Sequence, residues 1–179
     1  MNKSSFVLWF VLVPALGQSQ TVLNSSYVTS TGERVLRIEG IIPMSKQDAW
    51  KLFSTEQGLK KWIAPVVSLD WRVGGEILTN YDSTKSVRDS GTIRLPIINY
   101  LEGEMLTLKV LLNKNFPEKA RQEDQNLQEI IQLVDLGDGK TKMISSMIGW
   151  GSGPEWDKTY EFFRRGNEWT CKRLVKAAP

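Results

Sequence analysis

The sequence predicts an α+β domain: a run of antiparallel strands set apart from a few helices, closed by one long C-terminal helix. Three observations predict it. Short blocks of alternating apolar residues recur with turn residues between them. Two short helix signals follow the first strand, and the last stretch carries a wide aromatic stripe at helical spacing. Strands grouped apart from helices indicate an antiparallel sheet rather than βαβ units.

The first strand is "RVLRIEGII", residues 34–42, with Val35, Leu36 and Ile38 as its apolar positions and Pro43 ending it. "SKQDAWKLF" then reads as a helix, with Ser45 as N-cap, Asp48 three residues on and an apolar face of Ala49, Trp50 and Phe53. In "TEQGLKKW", Thr55 caps a second short helix ending near Trp62, and Gly58 weakens it. After Pro65, Val67, Leu69, Trp71 and Val73 alternate with polar residues as a half-buried strand. Gly74-Gly75 is the hairpin turn, and Ile77, Thr79 and Tyr81 return. Two further strands are expected over residues 92–98 and 105–112, then a charged loop, "NKNFPEKARQEDQN". The last pair, 127–136 and 141–148, forms a hairpin around "GDGK", where Asp138-Gly139 is the turn signal.

The final helix carries Trp156, Tyr160, Phe163, Asn167, Thr170 and Leu174 on one face, with Phe162, Gly166 and Trp169 beside them. Asp157, Glu161, Arg164, Arg165, Glu168 and Lys172 fall opposite. Ser152 and Glu155 are spaced as a capping box at its start, and Pro154 suits a first turn. The lead-in "GWGSGPEW" is glycine-rich, but no parallel strand follows the helix and Pro154 deletes a donor. The glycines are therefore read as a sharp turn onto the helix, not as a phosphate loop.

The chain has 179 residues, room for one domain. Residues 1–17 resemble a secretory signal: Lys3, an apolar run from Phe6 to Leu16, and small residues at Ala15 and Gly17. Residues 18–33 are polar and read as a flexible lead, leaving 34–176 as the folded domain. Formal charge is +3 and falls to +2 without Lys3, the only charge in that leader; with charges interspersed, nothing points to nucleic acid. There is no histidine and only Cys171, so a metal site is not expected and an internal disulfide is excluded. No cofactor motif is found.

The segments "DAWKLFSTEQGLKKWIAP", "LDWRVGGEI" and "TKMISSMIGWGSGPEWDKTYEFFRRGNEWTCKRL" resemble, in that order, the SRPBCC (START-like) superfamily. Within it, they are similar to homologues of the C-terminal domain of the heat-shock chaperone ATPase activators. The resemblance covers about residues 34–176. It implies a helix-grip fold, a curved antiparallel sheet wrapped around the long helix, with a cavity between them that takes apolar or amphipathic molecules in many members. Where some relatives carry a histidine at the end of the last strand, this chain reads "SSMIGW".

Three functions are expected from this reading. The first is an exported module, periplasmic or extracellular, that binds a hydrophobic small molecule; Trp71, Tyr81, Met147, Tyr160, Phe163 and Asn167 are its candidate lining. The second is an enzyme of the cyclase or hydrolase type in the same cavity. Its carboxylate candidates are Asp70, Glu76 and Glu155, with Arg94 for an anion; alternation turns Asp70 and Glu76 outward, and no activated nucleophile is apparent. The third is a protein-interaction domain like the namesake activators, resting on fold analogy alone. Cys171 is expected as a buried, inert thiol.

Overall fold

The computed structural model describes residues 22–178. The leader expected over 1–17 and the first residues of the lead, 18–21, lie outside the described residues. In chain order the elements are β1 (Val22–Asn24), β2 (Tyr27–Val28), β3 (Arg34–Ile42), α1 (Lys46–Ser54), α2 (Glu56–Trp62), β4 (Val66–Leu69) and β5 (Glu76–Asn80). They continue with β6 (Ile93–Leu101), β7 (Met105–Lys109), α3 (Glu118–Glu123), β8 (Gln128–Gly137), β9 (Lys140–Ile148) and α4 (Pro154–Lys176). Among the described residues the strands form one curved antiparallel sheet in the order β1-β3-β9-β8-β7-β6-β5-β4, with β2 added to β3. The sheet grips α4, which packs on β3 and β1. This is the helix-grip architecture of the α+β class.

The local signals act where the sequence places them. Ser45 Oγ accepts from the Asp48 amide at 3.2 Å and donates to Asp48 Oδ2 at 2.8 Å, capping α1. Thr55 Oγ1 accepts from the Gly58 amide at 3.0 Å and donates to Lys51 O at 2.7 Å, so one side chain starts α2 and closes α1. Gly58 costs helix propensity, but it is where the two helices meet: a Cβ there would lie 2.0 Å from Lys51 O. Asp138 and Gly139 both have positive φ, +49° and +66°, as a two-residue turn joining β8 to β9 requires.

Four local expectations differ from the structure. Residues 22–24 and 27–28, expected in a flexible lead, are strands paired to β3. Ser25 Oγ, between them, donates to Glu39 at 2.7 Å. The strand expected to run through Val73 stops at Leu69, because Asp70 O and Arg72 O accept from the Arg72 and Gly75 amides (3.0 and 2.9 Å) and turn the chain. Trp71 and Val73 therefore stand in a loop. The charged segment after β7 contains α3, pinned by Asp124, which accepts from Lys109 Nζ at 3.1 Å and from the Leu127 amide at 3.0 Å. Finally, α4 has no side-chain cap. The chain enters it through Gly153 at φ +102°, so Ser152 lies one residue too early and the box with Glu155 does not form. Other contacts hold that end instead. Arg34 donates to Gly151 O at 2.9 Å and pairs with Asp157 at 2.6 Å, and Trp156 Nε1 donates to Glu123 at 2.9 Å.

The glycine-rich entry is a packing device. A Cβ at Gly149 would sit 2.1 Å from Asn126 O, and one at Gly151 would sit 2.2 Å from Trp156 Nε1. Neither residue can carry a side chain while the strand end and the indole are this close.

Candidate functional site: an apolar cavity between the sheet and α4

Alternation decides which side chains face α4. On β8, Glu129, Ile131 and Leu133 share a phase with Leu127 just before the strand; on β9, Met143, Ser145 and Met147 share one, and the register sets Glu129 opposite Met147 and Ile131 opposite Ser145. On β7, Leu106 and Leu108 face the same way, opposite Ile131 and Glu129. These residues do not close against α4 everywhere. Between them lies a cavity of about 280 Å³, close to the lower end of small-molecule sites, roughly 300 Å³.

Its floor is Ile77, Leu95, Leu106, Leu108, Ile131 and Met143 from the sheet. Phe53, Leu59 and Trp62 of α1 and α2 close one end, and Phe163, Asn167, Thr170 and Cys171 of α4 form the roof. Trp62 keeps its ring in place by donating from Nε1 to Leu52 O at 2.9 Å. The mouth is marked by Tyr81, Phe162 and Trp169, which line the cavity yet remain 49%, 61% and 51% exposed. Arg173 lies over the Trp169 ring at 4.6 Å and fixes its pose. Phe116, from the loop before α3, stacks on Phe163 with ring centroids 5.3 Å apart and backs the roof from outside.

Of the six side chains expected to line a ligand site, the structure brings Tyr81, Phe163 and Asn167 together in this wall. Trp71, Met147 and Tyr160 are elsewhere. Trp71, carried off by the loop, packs against Trp50 and Tyr100, with centroids 5.8 and 4.7 Å away. Met147 is fully buried beneath the roof, where its Sδ accepts from Asn167 Nδ2 at 3.2 Å. Tyr160 lies one turn too far toward the helix start, between Trp150 (4.9 Å) and the Arg34 guanidinium (5.1 Å). Phase is right for Met147 and Tyr160, but neighbours cover them. Thr170, the other polar group on this face of α4, is satisfied within the helix by Gly166 O at 2.8 Å.

The polar residues of the wall that sequence reasoning missed are Thr79, Glu129 and Ser145. Ser145 Oγ donates to Glu129 Oε1 at 2.5 Å. Burial among apolar side chains pushes the Glu129 carboxyl upward, and the Ser145 hydrogen bond opposes that shift. A signal for Glu129 was present: it is an acid in the inward phase of Leu127, Ile131 and Leu133. The acids considered from sequence are all absent from the cavity wall. Asp70 pairs with Arg72 at 3.0 Å and Glu76 with Arg94 at 2.9 Å, both at the surface, and Glu155 is in the first turn of α4. Cys171 is buried against the cavity, and burial, with the Glu129 charge adding to it, pushes its thiol up to about 12. Partial burial likewise raises the Tyr81 phenol.

Comparison with known proteins agrees with this fold. The family model described as activator of Hsp90 ATPase homolog 1-like protein matches residues 43–178. No curated protein matches the sequence. Among solved structures, protein MLL2253 from Mesorhizobium loti superposes with a TM-score of 0.63 at 14% identity, covering 80% of this chain and 96% of that one. CalU16 from Micromonospora echinospora gives 0.62 at 14% identity, covering 90% and 76%. The Aha1 dimer from Colwellia psychrerythraea gives 0.54 at 15% identity, covering 79% and 98%. At these identities the structural likeness speaks for the fold alone.

Proposed function

The chain belongs to the family of activator of Hsp90 ATPase homolog 1-like proteins, and from that premise we propose that it binds an apolar or amphipathic small molecule between its sheet and α4. The observation that carries this reading is the cavity itself: a hollow of about 280 Å³, walled mainly by apolar and aromatic side chains and open at an aromatic mouth. Interiors are normally filled to crystal-like density, and a void lined this way forfeits dispersion contacts that a bound hydrocarbon would restore. Binding at such a site is driven by apolar burial, with a few polar groups setting orientation.

The reading is tested with N-phenylnaphthylamine, a neutral probe whose fluorescence rises in apolar surroundings. Saturable enhancement with the wild-type domain, lost in Gly166→Leu, which places a side chain at the mouth, supports it. No enhancement with the wild type ends it. Mass spectrometry of protein purified from its native host would identify a retained lipid or aromatic compound.

Export belongs to the same proposal. The leader-like residues 1–17 would carry the domain away from cytosolic chaperones, which favours a small-molecule role over stimulation of a chaperone ATPase. An N-terminal sequence of the native protein beginning at residue 18 is the expected result. The enzyme reading gains one observation, the buried Glu129 carboxyl, but no second acid–base group stands within hydrogen-bond reach of it besides Ser145 among the described residues.

A further inference from the structure

We infer that Glu129 and Ser145 are the polar anchor of the cavity and that they select amphipathic amines, ligands with an ammonium head on an apolar body. This rests on the small-molecule reading above and names the ligand class within it.

Three placements point this way. First, Glu129 occupies an inward position on β8 where its cross-strand neighbours are Leu108 and Met147, so its carboxylate is set in an apolar surface. Second, the one hydrogen bond recorded to that carboxylate comes from Ser145, and no lysine or arginine pairs with it among the described residues. A carboxylate offers about four lone-pair directions, so most of its accepting capacity is unspent within the cavity. Third, Asn167 on the roof is tied through Nδ2 to Met147 Sδ, the residue opposite Glu129. This brings a second acceptor, Asn167 Oδ1, to the same region of the cavity.

A carboxylate in apolar surroundings is tolerated only if a proton or a cation neutralises it. An ammonium group brings that charge and three donors, enough for Glu129 and Asn167 together. A carboxylate-headed ligand brings a like charge instead, and an alcohol brings one donor and no charge. Burial raising the Glu129 carboxyl fits an unpaired acid awaiting a partner. The opposing feature is Arg173, but its guanidinium lies over the Trp169 ring at 4.6 Å and donates to Ile63 O at 3.4 Å, and no ion pair joins it to Glu129 among the described residues.

The test is displacement of N-phenylnaphthylamine from the wild-type domain at neutral pH by decylamine, decanol and decanoic acid, matched in chain length. Decylamine is expected to bind roughly tenfold or more tightly than decanol, the scale of one charge-assisted hydrogen bond, with decanoic acid weakest. In Glu129→Gln, the preference for decylamine over decanol is expected to disappear. Equal binding of amine and alcohol by the wild type, tightest binding of the acid, or an amine preference that survives Glu129→Gln overturns the inference. Failure of the probe and of all three chains to bind the wild type is a different result: it removes the small-molecule reading and this one with it. Because the first comparison needs no variant, misfolding of Glu129→Gln does not protect the claim.

Discussion

Replacing Gly166 by alanine is expected to stabilise the domain, an unusual outcome for a change beside a candidate site. Gly166 lies well inside the 23-residue helix α4, where glycine costs about 0.8–1.0 kcal/mol relative to alanine. A Cβ at this position meets no heavy atom within 4 Å, so the gain carries no steric penalty. For a domain of this size the added stability raises Tm by roughly 2–4 °C. The open space beside Gly166 is the cavity and its mouth, between Phe162 and Thr170. Gly166→Leu keeps most of the propensity gain and pushes a branched side chain into that space. Calorimetry and probe titration on wild type, Gly166→Ala and Gly166→Leu should show Tm rising in both variants while probe binding falls in the leucine variant. A lower Tm for Gly166→Ala would mean that the position is already filled, and unchanged probe binding by Gly166→Leu would mean that ligands do not use this mouth.

The remaining predictions concern the other buried positions. Gly58→Ala should have the opposite sign to Gly166→Ala: the new Cβ, 2.0 Å from Lys51 O, forces α1 and α2 apart, and urea unfolding should show a loss of about 1–3 kcal/mol. The Glu129 carboxyl is raised by burial, so the native state holds its proton to higher pH than the unfolded chain does, which titrates near ~4.3. Its contribution is therefore most favourable below that value and is lost as pH rises through the folded pKa. The titratable groups of the facing wall lie above this window: burial pushes the Cys171 thiol up to about 12 and raises the Tyr81 phenol. Stability measured against pH should thus fall less steeply in Glu129→Gln than in the wild type over the acid-to-neutral range; parallel curves would refute the assignment. Cys171, buried with its thiol pushed to about 12, should react with an aromatic disulfide reagent only at the rate of unfolding. Rapid labelling of the native protein would show an accessible thiolate.

Much of this protein was legible along the chain. Residues 34–42 form β3 as the alternation indicates, Ser45 and Thr55 cap α1 and α2, Asp138-Gly139 makes its turn, and α4 carries its aromatic stripe inward. These outcomes depend on neighbours within a few residues, where periodicity, caps and turn chemistry act. The site was less legible. Tyr81, Phe163 and Asn167 reach the cavity wall, whereas Met147 and Tyr160, with the right phase, are covered by Asn167 and by Trp150 with Arg34. Trp71 left its strand because backbone bonds at Asp70 and Arg72 turned the chain first.

What the sequence by itself determined, then, was the main strands and helices from β3 onward, α3 apart, and the side each presents to its partner, because a strand or helix period is a property of a single segment. Only the tertiary structure decided where those sides meet and where they stay apart. The curvature of the sheet and the crossing of α4 leave a gap over β7, β8 and β9, and it is that gap which turns Glu129 from an ill-placed acid in a strand into the polar group of a cavity.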